Sequence, residues 1–338
     1  MTENPGLLKG GWKPALTLVF LAPFIAEVLS GATKVSILFV LIPEMMVWGC
    51  GALLIRELVR RWGGGWASLL CLGLGLSIAE EFLIQQTSLA PLPFPGALVR
   101  YGRAWGVNWI YFLFMLGFES VFVVLVPVRV TEMLFAERRN ELWLRTRGMV
   151  ITSVIFLLGC RIAWYAWIKR ARPIVLHAPP YDVPWVTILA GFLAIALLGV
   201  GAYAVRGIGT PGATRSTPSA WVVGLVVLVL GFPWYALMGF VFTPKQPHVG
   251  FGWVLAAGVA WGILGMLVLG HWAASARWTE LHQWAAVFSA TLVCMIAGYL
   301  GSSTWSRVDL IGKIVFNVIA VVGFLMLLGR VRRRAEPA

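Results

Sequence analysis

Two long stretches of the chain carry no charged residue, and they constrain the fold more than any other feature. Residues 216–244 contain no Asp, Glu, Lys or Arg, and neither do residues 246–276. Such runs are typical of transmembrane helices, because about 20 helical residues cross the hydrocarbon core of a bilayer. Over the whole chain 59% of the residues are hydrophobic and 12% are charged, which excludes an ordinary soluble enzyme.

Ten segments reach spanning length, and together they predict an all-α, polytopic transmembrane helical bundle. Strands are not expected, because the segments are too long and too continuously apolar for the alternating strands of a membrane barrel. The predicted spans are residues 13–31, 35–56, 65–87, 107–134, 148–168, 184–205, 219–243, 250–270, 283–301 and 310–329.

The basic residues between the spans predict the orientation of the chain. With ten spans both termini lie on one side, which collects 16 Lys and Arg residues against nine on the other side. Both termini are therefore predicted to be cytoplasmic in a plasma-membrane protein, and the net charge of +13 reflects topology and not a nucleic-acid partner. Lys169, Arg170 and Arg172 oppose the trend, because they fall on the predicted outer side.

The chain divides at a segment rich in Gly, Ser, Thr and Pro. Residues 206–218 form this predicted linker, between six membrane helices in 1–205 and four in 219–338. Acidic side chains well inside the spans occur only in the first part. A transporter built from two inverted repeats tends to carry polar sites in both halves, so we expect one site in 1–205 and a scaffold in 219–338.

Two adjacent glutamates, Glu80 and Glu81, are the most informative charged residues within a span. Neighbouring residues on a helix point about 100° apart, so the two cannot both face lipid without a cost. Gly73, Ser77 and Gln85 share the stripe of Glu81 at a spacing of four, which predicts that another helix approaches this face. Buried carboxyls of this kind suit a general base or a proton carrier, and hydrogen-bonded structural pins are the alternative.

Oppositely charged residues in the first half are expected to pair. Arg161 lies within a span, and a buried pair with Glu119 or Glu81 follows from the cost of leaving such charges alone. We expect Glu81, Glu119 and Arg161 to point into one interior cavity. Glu57 and Arg61 are spaced i, i+4 at the end of the second span, where a solvated cytoplasmic cap is expected.

Prolines precede two other acids of the first half. Glu44 follows Pro43 directly, and Glu27 follows Pro23 by one turn. A proline removes a backbone hydrogen bond and opens the helix locally. Both glutamates could therefore line the same cavity or solvate a kink.

Neither a metal ion nor a cofactor is expected. The four histidines include no H-E-x-x-H motif and no pair at i, i+4, and the four cysteines lie 21, 89 and 134 residues apart. These spacings match no zinc or redox motif, and no G-x-x-x-x-G-K-[ST] loop is present to bind a nucleotide.

The sequence AEEFLIQ, which contains Glu80 and Glu81, resembles the first motif of the CPBP family of intramembrane proteases, the CAAX protease and bacteriocin-processing relatives. That motif is a Glu-Glu pair followed by three residues and an arginine, and Gln85 stands here in place of the arginine. The resemblance implies an all-helical fold and a glutamate that activates water for peptide hydrolysis. Glu80 or Glu81 would be the general base, with Glu119 or Arg161 in place of another polar group of the family.

Three hypotheses stay open at this point. The first is a divergent CPBP-like membrane protein, because no histidine lies well inside a predicted span as the family's mechanism requires. The second is a proton-coupled carrier of a small solute that titrates the buried glutamates. The third is a membrane scaffold without activity. The expected partners are the lipid bilayer and either a membrane-embedded peptide or a small solute.

Overall fold

Each predicted span carries one main helix in the part of the chain that the structure describes. The computed structural model describes residues 11–91, 101–179, 181–208, 216–242 and 247–335. The first helix, α1, runs Trp12–Pro23 and continues as the π-helical turn Phe24–Val28. The others are α2 (Val35–Arg61), α3 (Trp66–Ile84), α4 (Trp109–Leu134), α5 (Thr146–Val175), α6 (Trp185–Ala204), α7 (Ala220–Val241), α8 (Phe251–Ala273), α9 (Glu280–Ala297) and α10 (Arg307–Ala335). Short 3₁₀ turns lie at Ala136–Arg138 and Ser302–Thr304.

The prediction of an all-α bundle is confirmed. Within the described ranges, the nine helices α2 to α10 are long and apolar enough to cross a membrane. The outward faces of the peripheral helices are apolar too, as Leu157 on α5, Leu193 on α6 and Leu267 on α8 illustrate with more than half of their surface exposed. Such faces require a hydrocarbon environment, so this is a multi-pass membrane protein.

Helix α5 is longer than its predicted span 148–168. Its last part, Tyr165–Val175, is π-helical and carries the helix through the basic residues that were expected to end it. Helix α10 likewise extends beyond 310–329, through the arginines at its end. Charged residues at helix ends lie beyond the apolar core, so hydropathy alone places the ends too early.

One connection contains a short hairpin that the hydropathy of the spans did not predict. Strands β1 (Arg103–Ala104) and β2 (Val107–Asn108) form an antiparallel hairpin whose turn contains Gly106 at φ 81°. Asn108 ends this hairpin and caps α4, because its side-chain oxygen accepts the backbone N–H of Tyr111 at 3.1 Å. The hairpin therefore fixes where α4 begins.

The helices fall into an inner and a peripheral group. In the most apolar continuous stretch of 18 residues in α3, 56% of the residues are buried. In the corresponding stretches of α2, α4 and α9 the share is 44–50%. In α5, α6 and α8 the share is only 11%. Glu44, Glu80, Glu81 and Glu119 therefore lie on the most enclosed helices. Glu27 lies at the end of α1, whose inner face is also buried.

Small residues allow close contact between the inner helices, as the stripe through Gly73 predicts. A Cβ atom at Gly73 would lie 3.0 Å from the Cα atom of Ser120, so α3 and α4 approach each other backbone to backbone. A Cβ atom at Gly49 on α2 would similarly overlap the carbonyl oxygen of Val19 on α1. These contacts bring α1 to α4 together around one interior region.

Helices of the second half pack directly on α4. The indole N–H of Trp234 on α7 donates to the carbonyl oxygen of Phe114 at 3.2 Å, and its ring covers Gly117. Residues 209–215 of the predicted linker 206–218 lie outside the described residues. The division into 1–205 and 219–338 stays a prediction.

Candidate functional site

Five glutamates from α1 to α4 form one group, which we call the acid cluster: Glu27, Glu44, Glu80, Glu81 and Glu119. Glu80, Glu81 and Glu119 keep no more than 2% of their surface exposed, and Glu44 keeps 5%. Electrostatic interactions connect Glu119 with Glu80, Glu81 and Glu27, and connect Glu44 with both Glu27 and Glu80. The sequence expectation that Glu81 and Glu119 share one interior region therefore matches their placement, and Glu27 and Glu44 join them.

The cluster lies deep within the helices. Glu119 is ten residues beyond Trp109, the first residue of α4. At a rise of 1.5 Å per residue, this corresponds to about 15 Å along the helix, about half the thickness of a bilayer core. Carboxyl groups at such a depth have little access to bulk water.

Each acid of the cluster lies in or next to a π-helical segment. Glu27 is in Phe24–Val28, Glu80 and Glu81 are in Ala79–Ile84, and Glu119 begins Glu119–Leu125. Glu44 directly precedes a further segment, Met45–Gly49. π-Helical turns insert an extra residue into the α-helix and are frequent at functional sites.

Prolines account for three of these four segments. Pro23 and Pro43 lie just before the π-helical turns of α1 and α2, and Pro127 lies just after the one in α4. A proline lacks the N–H that closes a helical hydrogen bond, so it weakens the regular pattern around it. The segment in α3 has no neighbouring proline, and nothing in the local sequence explains it.

Glu81 has hydrogen-bond partners that fix it in place. Its Oε2 atom accepts the backbone N–H of Ser88 at 2.8 Å and the Ser88 hydroxyl at 2.6 Å. Ser88 belongs to segment 85–91, which follows α3 and is buried over most of its length. The carbonyl oxygen of Ser88 accepts the backbone N–H of Asn108 at 2.8 Å, so the segment joins Glu81 to the hairpin.

Glu80 and Glu119 are different, because both of their carboxyl oxygens have no hydrogen-bond partner among the described residues. Ser77 faces Glu119, and Gln85 faces Glu80, but neither reaches the geometry of a hydrogen bond. In Glu44 one oxygen accepts the hydroxyl of Thr33, and the other has no partner in the described part. Buried carboxyl oxygens without partners are costly, and they mark the atoms that are available to a proton, a water molecule or a ligand.

Arg161 is not part of this site, so the predicted pairing of Arg161 with Glu119 or Glu81 is wrong. Its side chain is exposed on the outer face of α5, and its guanidinium group lies 4.5 Å from the ring centre of Trp164. Within the described ranges, no Lys, Arg or His forms an ion pair with a member of the acid cluster. The periodicity of α5 could not reveal this, because one arginine within an apolar run gives no sign of whether it faces the bundle or the outside.

Tyr111 is a site residue that the sequence reasoning missed. It interacts electrostatically with Glu27, Glu80, Glu81 and Glu119, which places its phenol group beside the cluster. Tyr111 precedes Glu119 by eight residues, a spacing that puts both on one face of α4. That spacing could have indicated that Tyr111 lies beside Glu119. A tyrosine near the end of a span is more often an interfacial anchor.

The second half of the chain also reaches the region of the site. Tyr235 on α7 interacts electrostatically with Glu27. Lys313 on α10 is buried, and its ammonium group donates to the carbonyl oxygen of Leu29 at 2.7 Å and lies 4.6 Å from the ring centre of Tyr299. Leu29 follows Glu27 by two residues, so Lys313 holds the end of α1 that carries this acid.

At the end of α2, the predicted i, i+4 pair of Glu57 and Arg61 is present at 3.1 Å, but the expected solvated cap is wrong for Arg56 and Glu57. Arg56 and Glu57 have no exposed side-chain surface, and a salt bridge of 2.6 Å joins them. Glu57 also accepts the backbone N–H groups of Trp143 at 3.1 Å and Leu144 at 3.0 Å, while Arg56 bonds Glu132 at 3.3 Å. The α4–α5 connection folds over the end of α2 and removes both charges from solvent.

A metal centre is not evident in the described part of the chain. There, no group of three or more His, Cys, Asp or Glu side chains could hold a metal ion. The four histidines lie in connections or near helix ends and not beside the acid cluster: His177, His248, His271 and His282.

Comparison of the chain with protein-family models, curated proteins and solved structures finds no match in any of the three. The resemblance of Glu80 and Glu81 to the first CPBP motif stays a hypothesis that depends on those residues alone.

Proposed function

We propose that the acid cluster is the proton-binding site of a membrane carrier that couples proton movement to the movement of a small solute. The observation that carries the proposal is the state of Glu80 and Glu119: both are buried, both belong to one group of five acids, and neither has a partner among the described residues.

Electrostatics supports proton binding at this site. A charged side chain in the membrane interior costs at least about 2.5–3.5 kcal/mol, and like charges nearby add to that cost. Glu80 and Glu119 interact with each other and with Glu81, while no basic side chain in the described part neutralises them. The cluster therefore holds protons in this arrangement. It can release them when a cation takes their place or when a water-filled path reaches the site.

The surroundings of the cluster favour a cationic solute. Phe118 is adjacent to Glu119 and packs against Phe114 at 5.6 Å and Phe122 at 5.2 Å between ring centres. Aromatic faces and carboxylates both attract organic cations, so a protonated amine could exchange with protons here.

The membrane arrangement that we propose has ten spans, with α1 as the first, and both termini cytoplasmic in the plasma membrane. The excess of Lys and Arg on the side of the termini supports it. The lipid bilayer is the constant partner, and no nucleic acid is involved. Labelling of single introduced cysteines from each side of intact cells tests the orientation.

Proton coupling is tested in proteoliposomes that contain the pH-sensitive dye pyranine. Amines, amino acids and dipeptides are added in turn, and a coupled solute changes the internal pH. Glu80→Gln and Glu119→Gln should abolish that change, whereas Glu137→Gln, an exposed acid outside the cluster, should leave it intact. If no compound moves protons, or if all three variants behave alike, the proposal is wrong.

A CPBP-like hydrolase is the second candidate, and one observation favours it. The free carboxyl of Glu80 lies beside Glu81 and interacts with Glu119 on the neighbouring helix, an arrangement in which one acid can activate water while another donates a proton. The substrate would be a membrane-embedded peptide. Incubation of the purified protein with membrane-helix peptides, analysed by mass spectrometry, tests it.

The hydrolase predicts cleavage that Glu80→Gln and Glu81→Gln abolish while the protein remains folded. A scaffold predicts that these variants change only yield and stability. The two assays therefore separate the three hypotheses without knowledge of a natural substrate.

A further inference from the structure

Arg172, near the end of α5, is a buried cation with an unused donor. Only 2% of its surface is exposed, although its neighbours Lys169 and Arg170 are exposed. Its Nη2 atom donates to the carbonyl oxygen of Pro91 at 2.9 Å, but Nη1 has no hydrogen-bond partner in the described part of the chain. An unpaired N–H of a buried guanidinium group is costly, so the position calls for an acceptor.

Arg172 also lines a cavity of about 160 Å³. The other lining residues lie at the end of α5 and in the described part of the connection to α6. Since a water molecule occupies about 30 Å³ of liquid, the cavity has room for a small tetrahedral oxyanion. The polar residues that line it are Lys169, Arg172, Tyr181 and Asp182.

The charge around the cavity is mainly positive. Arg103 on the hairpin interacts electrostatically with Arg172, and its guanidinium group donates to the carbonyl oxygens of Leu89 and Gly106. Lys169 and Arg172 line the cavity with one acid, Asp182. Among the described residues, neither these three cations nor Asp182 forms a salt bridge.

We propose that this cavity is a binding site for a phosphate group, with the side chains of Arg172 and Lys169 as its donors. Arginine is well suited to phosphate, because its planar donors match the spacing of two phosphate oxygens. The site would give Lys169 and Arg172 a role on the predicted outer side, where basic residues are fewer. It is independent of the acid cluster and of the proposed carrier function.

The ligand is either the phosphodiester of an anionic lipid or free phosphate, and the experiment distinguishes them. Thermal unfolding of the delipidated protein in detergent is followed by tryptophan fluorescence, with inorganic phosphate or short-chain phosphatidylglycerol added. Chloride at equal ionic strength is the control. Stabilisation by phosphate identifies a soluble ligand, and stabilisation by phosphatidylglycerol alone identifies a lipid. Equal effects of all three additions would overturn the proposal.

Matched variants locate the effect in the cavity. Lys169→Ala should raise the concentration needed for stabilisation by about tenfold, the cost of one charge-assisted hydrogen bond. Arg170→Ala should have no effect, because this adjacent cation does not line the cavity. Asp182→Asn should tighten binding, since it removes a negative charge. Equal behaviour of Lys169→Ala and Arg170→Ala contradicts the site. Arg172 is left unchanged in both variants, because its bond to Pro91 also supports the fold.

Discussion

Glu81 and Ser88 are joined by two hydrogen bonds that both end on the same carboxylate oxygen, Oε2. The serine contributes its backbone N–H and its hydroxyl, so this short connection closes a loop directly after α3. The bonds hold segment 85–91 against the acid cluster. Glu81 therefore positions the segment, whereas Glu80 beside it keeps both oxygens free of partners in the described part of the protein.

Ser88→Ala should lower the free energy of unfolding by about 1–3 kcal/mol, because it removes a buried hydrogen bond to the Glu81 carboxyl group. Reversible unfolding in mixed micelles measures the change. Ser219→Ala is the matched control, since Ser219 is exposed and makes no capping bond with its side chain. Equal stabilities of the two variants would show that the Glu81–Ser88 link contributes nothing.

Glu57→Gln should destabilise the protein by about 3–5 kcal/mol, because it leaves Arg56 buried without its closest counter-charge. The same unfolding measurement applies. Glu137→Gln, an exposed acid in the neighbouring connection, should change the stability by less than about 0.5 kcal/mol. A small effect of Glu57→Gln would mean that Glu132 compensates for the loss.

In the described part of the chain, hydropathy correctly predicted nine helices of spanning length, because each needs only one property, an apolar run of that length. It also placed Glu80, Glu81 and Glu119 on adjacent helices, since acids within spans avoid lipid. The buried state of Glu57 was not predictable in the same way. It depends on the α4–α5 connection, whose backbone N–H groups at Trp143 and Leu144 reach the carboxylate from residues far away in sequence.

Arg161 is a case in which the sequence predicted an ion pair that the described part of the structure does not contain. The cost of a lone charge in a span predicted a partner for it, but the guanidinium group stacks on Trp164 of its own helix and stays on the outer face. Local stacking of this kind competes with pairing across helices, and periodicity does not distinguish them. The π-helical segments of the site were not predicted either, because prolines flank three of them but Pro233 lies inside the regular helix α7.

Arg161→Ala should therefore leave proton-coupled transport unchanged within about twofold, since the side chain contacts no member of the acid cluster in the described part. Pyranine-loaded proteoliposomes measure this, with Glu119→Gln as the inactive reference. A complete loss of coupling in Arg161→Ala would show that the arginine moves into the site during transport.

Gly73→Ala should destabilise the contact between α3 and α4 by about 1–3 kcal/mol, because the new Cβ atom would meet Ser120 at 3.0 Å. Gly199→Ala is the control on α6, where no atom lies within 4 Å of the added Cβ. The control should stabilise the helix by about 0.5–1 kcal/mol. Thermal unfolding of both variants gives the comparison, and destabilisation by both would assign the effect to the loss of glycine itself.

Glu80→Gln should change the free energy of unfolding by less than about 1.5 kcal/mol while it abolishes coupling, because a neutral amide of nearly the same shape replaces a buried protonated carboxyl group. Unfolding and transport are measured on the same preparation. A less stable Glu80→Gln would favour the scaffold hypothesis, in which this carboxyl serves the fold.

Lys313 connects α10, the last helix described, to the segment near Glu27 at the beginning of the chain. Its ammonium group donates a hydrogen bond to the carbonyl oxygen of Leu29, two residues past Glu27. This bond links the position of α10 to that of the end of α1. The two ends of the sequence are therefore connected directly. A shift of α10 is expected to change the distance between Glu27 and the other four glutamates.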